Sequence, residues 1–203
     1  GVADASFDED AYEVRKAALE AAAARLSDQL LEYWSQNREL SIELDLETMG
    51  ISSPDPWLHI RVRDDRQRMS LNVAERSKGF IWFFSFLAAF SEFADQDRRV
   101  ILLDEPGMNL HANAQADLLR YIKEHLGPFH QVVYSTHSPY LIDSGRLSRC
   151  RVLENVGDEG TKISSDLWRA GSETTVPLLA ALGADLTRKL VSGPHQLLVS
   201  SPS

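Results

Sequence analysis

The first forty residues space their apolar side chains as a helix does. The stretch from about Asp8 to Glu39 contains no Gly or Pro and predicts one long helix. Aromatic and leucine side chains recur at every seventh position of this stretch, at Tyr12, Leu19, Leu26 and Tyr33. This spacing is typical of a coiled-coil seam that needs a partner helix. It is equally compatible with an amphipathic helix packed on its own domain.

The next segment changes to the alternating pattern of strands. Ser41–Glu47 and Trp57–Arg63 alternate apolar and polar residues, which predicts two half-buried strands paired as an antiparallel hairpin. Asp64–Ala74 is polar and irregular and predicts a loop. A helix beginning near Lys78 carries the run Ile81–Phe90, which is apolar on nearly every side and is therefore expected to be buried.

From Val100 onward, short apolar strands alternate with helices. Val100–Leu103 is a continuous apolar run, which is typical of a strand buried on both faces in a parallel sheet. A helix over Ala112–Leu126 separates it from a second strand at Gln131–Ser135. The remaining predicted elements are a short helix after Ser138, strands at Cys150–Glu154 and Thr161–Ser164, short helices between Thr174 and Val191, and a last strand at Gln196–Val199. The order of these elements predicts an α/β fold with right-handed crossovers and a mostly parallel sheet.

Composition and charge exclude several classes of protein. The 203 residues carry 21 Lys and Arg against 30 Asp and Glu, a net charge of −9, so a polyanion site must be local. Cys150 is the single cysteine, which excludes an internal disulfide and a cysteine-based zinc site. The longest apolar run falls short of the ~20 residues that a membrane helix needs. The acidic N-terminus is unlike a signal peptide, and we expect a cytoplasmic protein with no membrane partner.

Two adjacent carboxylates follow the strand at Val100–Leu103. The carboxyl ends of strands are where open α/β sheets bind their ligands. Asp104 is suited to hold Mg²⁺, usually through water, and Glu105 is suited to orient or deprotonate an attacking water. The alternative is an acidic strand end followed by an ordinary proline turn.

Two further motifs place phosphate-binding chemistry at element ends. His137 follows the strand Gln131–Ser135 and would lie beside Glu105 if the two strands are neighbours. From there its imidazole could donate a hydrogen bond to a phosphate oxygen, although a lone His can also be a plain capping or packing residue. Ser77 and Gly79, with Lys78 between them, open a helix and could form an anion-binding nest. The alternative there is an ordinary N-cap serine beside a solvated lysine.

Together and in this order, these motifs resemble the second half of an ABC-type ATPase head. The phrasing of residues 75–87 is similar to that of the OLD-type (overcoming lysogenisation defect) ATP-dependent endonucleases and related SMC-like ATPases, and the resemblance runs from about Ala17 to the end. It implies a P-loop NTPase fold that uses ATP and Mg²⁺. By this likeness the site residues are Ser77, Lys78 and Gly79 in the signature loop, Asp104 and Glu105 as the Walker B pair, Asn109 and His111 in the D-loop at Gly107–His111, and His137 as the switch histidine.

The chain departs from that family in two places. The Gly-x-x-x-x-Gly-Lys-Ser/Thr phosphate loop does not occur in the sequence, and the resemblance implies that it lies in a separate N-terminal lobe ahead of a helical arm. At the other end, Ser200 and Ser201 stand where OLD proteins have the Glu and Gly of a Toprim nuclease strand, so we expect no nuclease chemistry from this chain. The expected domains are a returning arm helix at 1–40, the C-terminal ATPase lobe at 41–172, and linker helices with a truncated or degenerate Toprim-like start at 173–203.

The leading hypothesis is an ATP-hydrolysing head that is active only when an N-terminal lobe completes it. The resemblance implies a homodimer through ATP-sandwiched heads and the helical arm, with DNA as a partner of the parent protein in DNA metabolism or phage defence. A non-catalytic dimerisation or regulatory module that keeps the fold without ATP is the alternative. A small metallohydrolase using Asp104, Glu105, His111 and His137 is a third hypothesis.

Overall fold

The structure, a computed structural model, describes residues 9–47, 57–91, 98–167, 176 and 178–183. These residues fall into two compact units. The first unit extends to Ile101 and resumes over Gly107–Val132, and the second contains Leu102–Pro106 and everything from Val133 onward. Among the described residues, none of the helices has the length and apolar character needed to cross a membrane.

The first unit begins with a long helix packed on an antiparallel sheet. Helix α1 spans Glu9–Tyr33, and strands β1 (Leu40–Glu47), β2 (Trp57–Asp64) and β3 (Met69–Asn72) pair in the order β1-β2-β3. Ile42 of β1 lies opposite Val62 of β2, and both side chains are buried. The predicted β1–β2 hairpin is therefore confirmed, and its apolar positions form part of the core.

The two halves of α1 differ in burial. Ala23, Leu30 and Tyr33 in the second half are buried, and the helix packs against β1 there. Tyr12 and Val14 in the first half are exposed. The second half thus packs on its own domain, as one of the two interpretations of the seam predicts, while a partner for the first half remains a prediction.

Helix α1 ends at Tyr33 and not at Glu39, so the predicted end was wrong. The Arg120 guanidinium donates a hydrogen bond to the carbonyl oxygen of Tyr33 at 3.1 Å. The backbone N–H and the hydroxyl of Ser35 each donate to the Asp117 carboxylate at 2.9 Å. These bonds satisfy groups at the helix end and turn the chain toward β1, which the local sequence could not reveal.

Strand β3 replaces part of the predicted loop. Met69 lies opposite Asp64, and Asn72 opposite Arg61, in an antiparallel pairing with β2. Arg68 closes the intervening turn with a left-handed φ of 53°. The buried carboxylate of Asp64 accepts the backbone N–H of Arg66 at 3.0 Å, which stabilises the tight connection.

Two helices complete the core of the first unit. Helix α2 spans Lys78–Phe90, and Phe83, Phe84 and Leu87 are buried as predicted. Helix α3 spans Ala112–Tyr121 and continues as a π-helical turn over Ile122–Leu126. The predicted extent of this helix is confirmed, whereas its change of winding at Ile122 was not foreseen.

Strands β4 (Val100–Leu103) and β5 (Gln131–Tyr134) form a parallel pair. The N–H of Gln131 donates to the carbonyl of Arg99 at 2.9 Å, and the N–H of Ser135 donates to that of Leu103 at 3.0 Å. Donors and acceptors advance by the same number of residues in the same direction, which defines a parallel register. Helix α3 is the crossover between the two strands.

The prediction that β4 is buried on both faces was wrong. Leu102 is 73% exposed and Val133 on β5 is 50% exposed. Side chains alternate along a strand, and within the described residues the pair has no third strand beside it. A continuous apolar run looks the same in sequence whether one face or both are covered.

The expected mostly parallel sheet is also corrected. Among the described residues, β4–β5 is the single parallel pair, because only α3 supplies a helical crossover. In the second unit, β6 (Val152–Asn155) and β7 (Thr161–Ser164) form an antiparallel hairpin. A hydrophobic cluster in the second unit contains the buried side chains Val152, Leu167 and Leu178. Residues 176 and 178–183 are helical, in line with the predicted helices there, and the predicted strand at 196–199 lies outside the described residues.

Candidate functional site

The candidate site lies where β4 and β5 end. Because the two strands are parallel neighbours, Glu105 after β4 and His137 after β5 meet at one edge of the sheet. The backbone N–H of His137 donates to Oε2 of Glu105 at 3.3 Å, and Nε2 of His137 lies 3.3 Å from Oε1. The predicted proximity of these two residues is confirmed.

Ser135 connects the two adjacent carboxylates. Its hydroxyl donates to Oδ1 of Asp104 at 2.5 Å and accepts the backbone N–H of Glu105 at 2.9 Å. Glu105 has a φ of +44°, which is unusual for a residue with a side chain. The site therefore combines a hydrogen-bonded chain with a strained backbone, a combination that is common at functional sites.

The side chains of Glu105 and His137 differ in solvent exposure, and this difference suits them to different roles. The side chain of Glu105 is 27% exposed, whereas that of His137 is 94% exposed. A half-buried carboxylate held by two contacts has a restricted orientation, which general-base or water-orienting chemistry requires. An exposed imidazole beside it can turn toward a bound anion at little cost.

The oxygen-rich edge fits magnesium bound to a nucleotide better than a free-standing metal centre. Within the described residues, no group of three or more His, Cys, Asp or Glu side chains comes together to hold a metal ion. The metallohydrolase hypothesis is therefore not supported. Mg²⁺ usually takes one or two carboxylates and completes its shell with water and substrate phosphates. The exposed Asp104 with the Ser135 hydroxyl beside it fits that pattern.

Ser77, Lys78 and Gly79 lie at the start of α2, where an anion nest remains a prediction. Ser77 is the N-cap, and its hydroxyl accepts the backbone N–H of Phe80 at 3.3 Å, so the capping interpretation is correct for this side chain. Lys78 is exposed and Gly79 is buried. A Cβ on Gly79 would lie 3.1 Å from the carbonyl oxygen of Asn109. The start of α2 and the Asn109 loop are thus in close contact within the first unit.

His111 and the loop before it position the start of α3. His111 is the N-cap of α3, is exposed, and makes no side-chain capping bond. Gly107 has a φ of +73°, and its carbonyl oxygen accepts Nε2 of Gln115 at 3.1 Å. A Cβ on Gly107 would lie 2.9 Å from Leu118, so this loop needs glycine.

Sequence reasoning assigned no role to Ser135 or Gln115. A signal for Ser135 was available, because a hydroxyl residue directly follows the strand next to the carboxylate pair. Gln115 gave no comparable signal, since its partner is a backbone carbonyl eight residues earlier.

Tyr134 anchors the segment that carries His137. Its hydroxyl donates to the carbonyl oxygen of Leu141 at 2.7 Å. Burial raises the pKa of Tyr134 to about 12, with smaller contributions from Cys150 and Asp143. The phenol therefore stays protonated at neutral pH and keeps its donor role.

Similar proteins were found by sequence and by structure. The uncharacterised protein MJECL43 of Methanocaldococcus jannaschii is 26% identical over 186 residues, covering 88% of this chain. The chain spans about half (46%) of that relative's length.

Three solved structures share the fold. A chain from a study of ATP-driven dimerization and DNA-stimulated activation of SMC ATPases aligns with a TM-score of 0.57 and 16% identity, over 84% of this chain and 96% of that one. The SmcHead bound to the C-winged helix domain of ScpA aligns at 0.55 and 15%, over 78% of this chain and 46% of that one. The Pyrococcus furiosus Smc head with an extended coiled coil, bound to the C-terminal domain of ScpA, aligns at 0.52 and 16%, over 71% and 34%. At these identities the likeness shows a mixed α/β fold like that of the SMC ATPase heads.

A protein-family model also matches the chain. Residues 4–143 match the family described as "AAA domain, putative AbiEii toxin, Type IV TA system". This range covers well over half of the chain and includes α2, β4, α3, β5 and the candidate site up to His137. The chain belongs to this family of AAA domains.

Proposed function

We propose that this chain supplies one lobe of an ATP-hydrolysing head of the SMC- and OLD-like kind. The observation that carries the proposal is the arrangement at the ends of β4 and β5. There two carboxylates, a bridging hydroxyl and an imidazole share one edge of a parallel strand pair. Membership in an AAA-domain family makes ATP the expected ligand.

Each residue of this arrangement has a role that its geometry supports. Magnesium–ATP, when bound, supplies the γ-phosphate as the group that water attacks, with the cation neutralising phosphate charge. The exposed carboxylate of Asp104 would hold the cation, usually through water. Glu105 orients the attacking water, and His137 donates a hydrogen bond to the phosphate after turning away from Glu105.

The phosphate loop must come from a second lobe, because the 203 residues do not contain it. The uncovered face of the β4–β5 pair, where Leu102 and Val133 are exposed, is the surface we assign to that lobe. The same alternation places Asp104 and Ser135 farther along this face. A lobe that packs against Leu102 and Val133 would therefore also lie close to Asp104 and Ser135.

The start of α2 is assigned to a second nucleotide across a dimer interface. A helix N-terminus offers free N–H groups and the positive end of its dipole, and both favour a phosphate. Ser77 caps Phe80 here, and the exposed Lys78 adds a positive charge. One similar structure comes from work on ATP-driven dimerization of SMC ATPases, which is consistent with a homodimer closed by two nucleotides.

The remaining parts of the proposal concern the rest of the parent protein. The exposed first half of α1 belongs to a helical arm that pairs with a second helix. Residues 41–172 form the ATPase lobe. Residues 173–203 lead toward a Toprim-like domain. Work in DNA metabolism or phage defence in the cytoplasm would follow from the OLD-like resemblance.

Reconstitution tests the proposal. The segment that carries the phosphate loop, sought in the coding sequence adjoining this chain, is co-expressed with it. We expect magnesium-dependent ATP hydrolysis by the complex and none by the chain alone. Failure of the complex to hydrolyse ATP, or the absence of any such segment, would favour the alternative of a non-catalytic dimerisation or regulatory module.

A mixed dimer tests the role across the interface. Ser77→Arg on one protomer and Glu105→Gln on the other put both lesions in one composite site and none in the other. We expect this dimer to keep about half of the parent turnover. A dimer as inactive as one with a lesion in each site would show that Ser77 does not act in trans, and unfolding by Ser77→Arg alone would show that it is only a helix cap.

A further inference from the structure

Glu105 adopts a backbone conformation that its own residue type does not favour. Its φ of +44° lies in the left-handed region, where a Cβ crowds the following carbonyl oxygen. Such a conformation persists only where surrounding groups hold it. The group that meets the backbone of Glu105 from the neighbouring strand is the hydroxyl of Ser135, which accepts its N–H at 2.9 Å.

The hydrogen bonds of Ser135 run in one direction. A serine hydroxyl has one proton and can also accept. Its proton goes to Oδ1 of Asp104 at 2.5 Å, so the acceptor side is left for the N–H of Glu105. The resulting chain of hydrogen bonds runs from the Glu105 N–H through the hydroxyl to the Asp104 side chain, and each bond strengthens the other.

Neighbouring hydroxyls have different partners. Thr136 accepts the N–H of Ser138 at 3.0 Å, and Ser138 accepts that of Tyr140 at 3.3 Å, so both bond within their own loop. Ser135 bonds across to the end of β4 instead. The hydroxyl of Ser135 therefore bonds to the carboxylate pair, whereas that of Thr136 accepts from its own loop.

We propose that Ser135 is a positioning residue that holds Glu105 and Asp104 in their working orientation. It fixes the left-handed backbone of Glu105, from which the carboxylate reaches His137. It also sets the rotamer of Asp104, leaving Oδ2 outside this chain of bonds. The inference rests on the proposed function for its catalytic consequence, but the geometry it describes exists in the chain itself.

The first test uses the full chain without nucleotide. With ¹⁵N-glutamate labelling, we expect Ser135→Ala to increase hydrogen exchange at the Glu105 amide at least tenfold and to shift its resonance. Ser135→Thr keeps the hydroxyl and should retain protection. Thr136→Val, the matched control, removes a hydroxyl from the next residue and should leave the Glu105 amide unchanged. Equal exchange in Ser135→Ala and the parent would overturn the proposal.

The second test uses the complex with the phosphate-loop lobe. Ser135→Ala should lower kcat by at least tenfold with less than a twofold change in KM for ATP, and Ser135→Thr should recover most of the turnover. Adding Ser135→Ala to Glu105→Gln should lower turnover by a smaller factor than Ser135→Ala does in the parent, because part of the effect of the serine acts through Glu105. Additive losses would contradict that route. If the parent complex lacks turnover, the proposed function fails while the amide exchange still decides the role of Ser135.

Discussion

A methyl group on Gly107 would lie 2.9 Å from Cδ2 of Leu118 and 3.0 Å from Cδ1 of Leu110. Leu118 is fully buried, so neither neighbour can move away freely. The loop before α3 therefore packs closely on the buried Leu118 at Gly107, a glycine with positive φ.

Gly107→Ala should therefore destabilise the chain strongly. The left-handed backbone and the overpacked contact together predict a loss of about 2–4 kcal/mol in the free energy of unfolding. Gly157→Ala is the control, because Gly157 also has a positive φ but nothing within 4 Å of the added Cβ. It should lose only about 1 kcal/mol. Urea unfolding measures both, and equal losses would show that the contact with Leu118 is unimportant.

The Asp117 carboxylate should stabilise the end of α1. Asp117 is 5% exposed, accepts two hydrogen bonds from Ser35, and lies 3.6 Å from Arg120. Asp117→Ala leaves these donors unpaired and should cost about 2–4 kcal/mol. Ser35→Ala, which keeps the backbone bond, should cost about 1 kcal/mol. Asp28→Ala on the exposed face of α1 should change stability by less than about 0.5 kcal/mol, and a similar effect for Asp117→Ala would refute this role.

Tyr134 should make stability fall at high pH. Burial raises its pKa to about 12 from an ordinary value of 10.0, so the unfolded chain loses this proton first. The contribution of this group to stability is complete below pH 10 and decreases as the pH rises toward 12. In an ultraviolet phenolate titration, Tyr134→Phe should remove a component with a midpoint of about 12. Loss of a component near pH 10 instead would contradict the burial argument.

The thiol of Cys150 should react slowly with alkylating reagents. Burial raises its pKa, Asp143 raises it further, and Arg151 opposes both. Less thiolate is therefore present near neutral pH than for a free thiol, and the thiolate is the reactive form. Because Cys150 is the single cysteine, iodoacetamide labelling reports on it alone. Asp143→Asn should accelerate labelling, and a parent rate equal to that of free cysteine would contradict the prediction.

The position of His137 beside Glu105 was predictable, because it follows from where two parallel strands end. Parallel strands place their carboxyl ends at one edge, and this rule brought His137 to Glu105 from sequence alone. The place of Ser135 directly after β5 marked it as a possible site residue, but its bonds to Asp104 and Glu105 and the left-handed Glu105 were not predictable, because the partner of a hydroxyl depends on the register between β4 and β5. The sequence carries no local mark of that register.

The fold was predictable where a segment's own pattern decides its structure. β1, β2 and α2 follow their patterns closely. The end of α1 depends on Asp117 and Arg120, which lie more than eighty residues farther along the chain. β3 depends on a turn closed by Arg68, and the burial of β4 depends on what covers Leu102. These outcomes are decided by distant partners and not by the segments themselves.

The central claim is that Glu105 is the catalytic carboxylate of an ATPase head completed by a phosphate-loop lobe. The most direct measurement is single-turnover ATP hydrolysis by the completed complex, alongside nucleotide binding, for the parent and Glu105→Gln. The account predicts that Glu105→Gln slows hydrolysis by about 100-fold or more, as loss of a general base does, while ATP binding and ATP-driven dimerisation persist. Asp104→Ala should instead weaken magnesium-dependent nucleotide binding. Equal hydrolysis rates in Glu105→Gln and the parent would contradict the account.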